Sequence, residues 1–213
     1  MKMFIMSILV ATFVIAAICL IPPEPQSSPA PVKASTHSDQ KPKPEINLGV
    51  LNSLPLKLPL VEPKIIVLKS KRQLLLYSDG KVVRTYRVGL GFNPVDDKVK
   101  EGDGATPEGE LYVFIKNPKS AYYLSLGISY PSIEDAERGL RAGLITRAQY
   151  KQIVSAIQRK VAPPQNTRLG GQIYIHGNGS DRDWTWGCIA LEDKDMKELF
   201  DAIVVGTSVI IEH

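Results

Sequence analysis

The chain has 213 residues, 44% hydrophobic and 23% charged, with a formal net charge of +4. That composition excludes a collagen-like or wholly disordered chain and predicts one globular domain with appendages. Residues 62–213 hold 21 basic and 19 acidic side chains, a near balance without a basic stripe, which argues against a nucleic-acid partner.

At the N-terminus Lys2 precedes an apolar run from Met3 to Ile21, broken only by Ser7, Thr12 and Cys19. At about 1.5 Å of rise per helical residue this run nearly spans a bilayer core. It reads as an uncleaved membrane anchor in preference to a long signal peptide, because no small-x-small cleavage site follows it. Ile18 before Cys19 argues against a lipoprotein site. The single positive charge stays on the cytoplasmic side, so the rest of the chain is expected outside the cytoplasm, on the periplasmic or cell-wall side.

Residues 22–63 carry ten prolines among Ser, Lys and Gln and read as a partly extended tether, with His37 a solvated linker residue. A short apolar patch from Leu48 to Leu60 is a candidate for docking on the domain. From Lys64 the pattern changes to short β-rich runs. Ile65 to Leu68, Leu74 to Tyr77 and Val82 to Val88 predict a meander of antiparallel strands, with turn chemistry at Ser78, Asp79, Gly80 and Lys81. A polar, glycine-rich loop from Gly89 to Gly109 precedes another strand at Leu111 to Ile115.

Residues 132–161 switch to helical spacing. Ser132 with Asp135 three residues on predicts a capped start, and the break at Gly143 to Thr146 divides two short helices ended by Pro163 and Pro164. This insertion is expected to cover a sheet edge or to form one wall of a groove. A last helix is predicted over Lys194 to Ile203, N-capped by Asp193 and burying Met196, Leu199 and Phe200. A final strand is predicted from Val204 to Ile211.

Cys188 is the one cysteine outside the N-terminal run, so an exported chain gives it no disulfide partner within the molecule. Of three histidines, His37 lies in the tether and His213 ends the chain, leaving His176 at the end of the apolar stretch Ile173 to Ile175. A thiol and an imidazole base are the two parts of a cysteine acyl-transferase, and a neighbouring imidazole is expected to lower the thiol pKa and take its proton. Gly187 permits unusual dihedrals, and the amides of Gly187 and Cys188 are candidates for an oxyanion hole. Trp184 and Trp186 either flank a substrate groove or pack beside it. A buried, inert cysteine and a hydrogen-bonded core histidine remain equally open readings of these residues taken singly. No metal site is indicated, since one Cys and one His leave two ligands without recognisable spacing.

The run Ile175, His176, Gly177, then Thr185, Trp186, Gly187, Cys188, Ile189 resembles the active-site signature of the L,D-transpeptidase catalytic domain, the YkuD-type family. Thr106 to Tyr112 is similar to the family's Thr-Pro-Glu-Gly stretch before a strand, and the strands around Leu74 to Gly80 also fit. The resemblance covers about residues 64–213. It implies a mostly β domain, a β-sandwich or barrel with a short helical insertion and a C-terminal helix. It implies an enzyme of peptidoglycan stem peptides that needs no cofactor. Cys188 would form a thioester at the carbonyl between the L-centre of a diamino acid and a terminal D-alanine, then pass the acyl group to an amine or to water. His176 would be the general base, and Gly177 would orient its ring. The chain departs from the family where Trp186 replaces a second His, where Ala190 and Leu191 replace Arg or Asn, and in a short His176 to Cys188 interval. Cross-linking, carboxypeptidase trimming, attachment or release of a wall protein, and a non-catalytic wall-binding module are the alternatives this leaves.

Overall fold

The structure, a computed structural model, describes residues 52–213. The apolar run, His37 and most of the tether lie outside the described residues. Strict alternation builds the first strands: β1 (Lys64–Leu68) and β2 (Gln73–Ser78) bury Ile65, Val67, Leu74 and Leu76 completely and turn the residues between them outward. β3 (Lys81–Arg87) follows through Asp79 and Gly80, both with positive φ (50° and 67°), the geometry of a two-residue hairpin turn matched to strand twist. β1, β2 and β3 form the expected antiparallel meander, and β8 (Ser208–Glu212) pairs parallel to β1 on its other side.

β4 (Gly109–Ser120) joins the two halves of the molecule. Gly109 to Tyr112 pair with β8, whereas Val113 to Ser120 pair with β5 (Tyr123–Ile128), so one strand changes partner midway. β6 (Tyr174–His176) then adds to β5, and the two-residue β7 (Ile189–Ala190) adds to β6. The strand order is β3-β2-β1-β8-β4-β5-β6-β7. Its two end strands meet where Gly89, just past β3, exchanges both backbone hydrogen bonds with Ala190 (2.9 and 2.8 Å). The sheet thus closes over one core holding Leu76, Val113, Leu126, Ile128 and Ile175, the mostly β sandwich or barrel expected from the sequence.

Several boundaries differ from the sequence reading. β4 runs five residues beyond Ile115, and its register shifts break the alternation that would have marked it. β5 was not expected at all. The last strand starts at Ser208, because Val204 and Val205 are exposed and Gly206 (φ 95°) turns the chain. The C-terminal helix α3 (Asp193–Ala202) is capped by Glu192 without a side-chain bond, because the Asp193 carboxylate instead accepts from Asn178 N–H at 2.8 Å. Met196 and Leu199 are buried and Phe200 packs beside them, as the spacing predicts.

In the insertion, α1 (Ile133–Arg141) starts at a full Ser132–Asp135 capping box and α2 (Arg147–Gln158) at a Thr146–Gln149 box. α2 stops before Pro163, where Lys160 takes a positive φ of 57°. The pair closes a second small core with Leu169 instead of a sheet edge. It supplies no residue to the cavities beside Cys188; Arg138 instead grips the loop that does, through Asp97 (2.7 Å) and the Lys98 carbonyl (3.2 Å). The apolar patch before β1 does dock over its described part. The Asn52 side chain pairs with the Thr85 backbone, Leu54 O accepts from Arg84, and Leu56 and Leu60 pack on the core.

Candidate active site

Cys188 sits at the end of a turn that Thr185 ties together. Thr185 Oγ1 accepts from Gly187 N–H (3.2 Å) and donates to the Cys188 carbonyl (2.7 Å). Gly187 has φ +118°, and a Cβ there would lie 2.5 Å from the Ala105 carbonyl, so both dihedral and space require glycine. The expectation that the Gly187 amide would point at an oxyanion is corrected here, because its hydrogen is already spent on Thr185. Behind the turn lies a second layer of loops. Phe92 N–H donates to Thr185 O (3.0 Å), Gly91 N–H to Thr106 Oγ1 (3.0 Å), and Asp103 gathers Val99, Lys100 and Ala105 N–H together with Lys98 Nζ (2.8 Å). Burial pushes the Asp103 carboxyl up, but these donors outweigh it and hold it below the usual carboxylate range.

His176 ends β6 and is 3% exposed. Its Nδ1 lies 2.7 Å from the Gly177 carbonyl, which can only accept, so Nδ1 carries the hydrogen and Nε2 keeps a free lone pair. Gly177 in turn donates to Tyr122 O (3.1 Å), and a Cβ on it would meet the Asp193 carboxylate at 2.5 Å. The imidazole packs in a cluster of three rings: Tyr122 stacks on it, tilted, at 4.8 Å between ring centroids, Trp184 meets it edge-on at 5.6 Å, and Tyr122 and Trp184 lie 5.9 Å apart. Trp184 is itself fixed by its Nε1–H on Gly179 O at 3.2 Å. Trp186 differs: it is 70% exposed, its ring perpendicular to the exposed Phe92 ring at 4.7 Å.

Burial pushes the His176 imidazole below its ordinary value despite the Gly177 contact. Burial also pushes the Cys188 thiol up, against the Tyr174 backbone N–H and the Lys98 charge, which favour the thiolate. The expected lowering of the thiol pKa is therefore reversed. Desolvation outweighs the neighbours, so both shifts run in the direction that favours the neutral thiol and the neutral imidazole.

Two cavities converge on this pair. One, of about 600 Å³, is lined by Lys98, Glu101, Trp184 and Trp186 among others; the second, of about 280 Å³, is lined by Asn117, Ser120, Ser125 and Tyr174. Cys188, His176, Tyr122 and Gln172 border both. The thiol donates to the Gln172 carbonyl at 3.5 Å. The structure thus places Cys188, His176, Trp184 and Trp186 around one space, with Gly177 and Gly187 behind it. Sequence reasoning missed Tyr122, Gln172 and Lys98, and named Thr185 within the signature run without a role of its own. Tyr122 lies in the turn before the unrecognised β5, and its position after the β4 pattern was the one available signal.

The model of the L,D-transpeptidase catalytic domain (YkuD) matches residues 62–211. The chain belongs to this family. No curated protein matches the sequence. Among solved structures, the L,D-transpeptidase of Xylanimonas cellulosilytica is 20% identical over 75% of this chain and 64% of its own, with a TM-score of 0.41. An L,D-transpeptidase of Mycobacterium smegmatis is 12% identical over 71% of this chain and 59% of its own, with a TM-score of 0.43. The helical cell shape determining protein Pgp2 of Campylobacter jejuni is 25% identical over 76% of this chain and 53% of its own, with a TM-score of 0.47. The chain spans less than two thirds of each of these proteins. Family membership therefore rests on the domain match over 62–211, which includes every residue of the Cys188 site.

Proposed function

We propose that this family member is a cysteine-dependent L,D-transpeptidase of peptidoglycan stem peptides, working through a thioester on Cys188. The observation that carries the reading is that two cavities meet at Cys188 and His176 and share both walls there. A transferase needs a donor and an acceptor to reach one sulfur in turn. Cys188 Sγ attacks the carbonyl carbon of the diamino residue as His176 Nε2 takes the thiol proton, so the mechanism needs no preformed thiolate. The Cys188 N–H takes the developing oxyanion in place of the occupied Gly187 amide. The tetrahedral intermediate collapses to the thioester, and the departing D-alanine amine carries away the proton held on His176. A second peptide's amine then attacks the thioester, giving its proton to His176, and the Cys188 thiol is restored.

In this reading the apolar run 3–21 holds the enzyme at the membrane with its domain outside the cytoplasm. Fractionation should then find the full chain in membranes after an alkaline wash. The chemical test is incubation with a carbapenem and with a purified tetrapeptide. The expected results are a mass increase on Cys188 that Cys188→Ala abolishes, and cross-linked dimers. Tripeptide alone would identify a hydrolytic L,D-carboxypeptidase on the same fold. Unmodified protein after prolonged incubation would count against an acyl-enzyme and favour a wall-binding module.

A further inference from the structure

Charge is unevenly divided between the two cavities. The smaller is lined by no charged side chain, while Lys98 and Glu101 line the larger. Lys98 is not a free cation. Its side chain is 3% exposed, and its ammonium is committed to Asp103 (2.8 Å) and the Lys100 carbonyl (3.1 Å). Glu101 is the opposite case. It is exposed, its backbone N–H is fixed on Arg168 O at 3.0 Å, and among the described residues its carboxylate has neither an ion-pair nor a hydrogen-bond partner. The larger cavity therefore presents one uncompensated negative charge, and its lining also includes the exposed ring of Trp186.

Resting on the functional reading above, we infer that Glu101 is a specificity-determining residue that binds the side-chain ammonium of the donor peptide's diamino residue, which assigns the donor to the larger cavity and the acceptor to the smaller. The proton chemistry separates the two peptides. A carboxylate beside an amine favours its protonated form, and an ammonium has no lone pair with which to attack a thioester. Glu101 therefore suits an amine that acts only as a handle. The acceptor amine must arrive unprotonated at His176, and the uncharged lining of Asn117, Ser120 and Ser125 does nothing to hold its proton. The aliphatic chain leading to the handle has an apolar surface available on Trp186. Because Glu101 is exposed, its attraction acts through screened water and weakens with added salt.

The test uses two synthetic tetrapeptide donors, one with the diamino side-chain amine free and one with it acetylated, and D-alanine release from each by the full chain and by Glu101→Gln. In wild type, acetylation should lower kcat/KM about tenfold, mostly through KM, with the gap shrinking as salt rises. Glu101→Gln should lower the free-amine donor by the same factor and leave the acetylated donor unchanged, while the acceptor KM stays put. Equal discrimination in wild type and variant, or a change in acceptor KM instead of donor KM, would overturn the assignment. If wild type turns over neither donor, the functional reading fails on its own terms. Calorimetric binding of both peptides to Cys188→Ala then still decides the subsite: tighter binding of the free amine, lost on adding Glu101→Gln, supports it, and equal binding refutes it.

Discussion

The half of the molecule made by β1, β2, β3 and β8 and the half that carries Cys188 are held together by different forces. The first is regular in its burial: alternate residues such as Ile65, Val67, Leu74 and Leu76 are fully buried, and a two-residue turn at Asp79 and Gly80 joins β2 to β3, whose pairing shifts once, between Leu76 and Tyr77. The second has strands of three and two residues at β6 and β7, and is built from side chains bonded to backbone: Thr185 on Cys188 and Gly187, Asp103 on three amides, and His176 on Gly177. Apolar burial is non-directional and tolerates small adjustments, whereas a polar tie fixes an atom in one place. The difference separates what keeps this protein folded from what positions the Cys188 thiol.

Substitutions in the two halves should therefore divide stability from activity. Asp103→Ala strands the buried Lys98 ammonium and frees three amides, and is expected to cost about 3–5 kcal/mol in denaturant unfolding and most of the turnover. Leu76→Ala, in the regular half, is expected to cost about 2–5 kcal/mol by the same measurement while leaving kcat of the folded fraction unchanged. If Leu76→Ala also lowered kcat several-fold, the two halves would not be separable in this way.

Thr185→Val keeps the shape of the side chain and removes both hydrogen bonds at the turn that ends in Cys188. It should lower kcat about tenfold, the rate equivalent of about 1.4 kcal/mol, with KM little changed. A loss of stability without a loss of kcat would make Thr185 part of the scaffold only. Trp186→Ala should move unfolding by no more than about 0.5 kcal/mol, since the ring is largely exposed, and should show its effect in donor KM.

The smallest expected effect is on pH. The His176 pKa is lowered by burial, so the folded protein favours the neutral ring. The stability this contributes is present above the ordinary imidazole value of about 6.5 and is lost as pH falls from there through the lowered folded value. The acid limb of kcat/KM for a mechanism using neutral His176 should likewise lie below about 6.5. His176→Gln should flatten the stability slope in that window. An acid limb above about 6.5 would mean that a neighbouring charge, not burial, controls the ring.

The parts legible in advance were those with a local pattern. Alternation marked β1 to β3, the Ser132–Asp135 spacing marked α1, and Met196 and Leu199 marked the buried face of α3. β5 and the far end of β4 were not legible, because register shifts at Val113/Ile115 and Asn117/Ser120 remove the two-residue period. The state of Cys188 was not legible either. A neighbouring imidazole argues for a lowered thiol pKa, but the burial that reverses it depends on residues from several loops. Gly187 was marked as special for the right property, its freedom at positive φ, and for the wrong duty, since the hydroxyl that occupies its N–H is two residues away in a turn whose shape the sequence does not spell out.

The sequence by itself determined the family, the mostly β class, and the candidate pair Cys188 and His176, because these depend on residue types in order: a cysteine after Gly187 and a histidine before Gly177. The tertiary structure decided which residues share the site and in what state. The closure of the sheet at Gly89 and Ala190, and the convergence of segments 89–106 and 165–188 with the β4–β5 turn, set Lys98, Glu101, Tyr122 and Gln172 around Cys188. Proton state and local charge are sums over neighbours distant in the chain, and such sums exist only once the chain has folded.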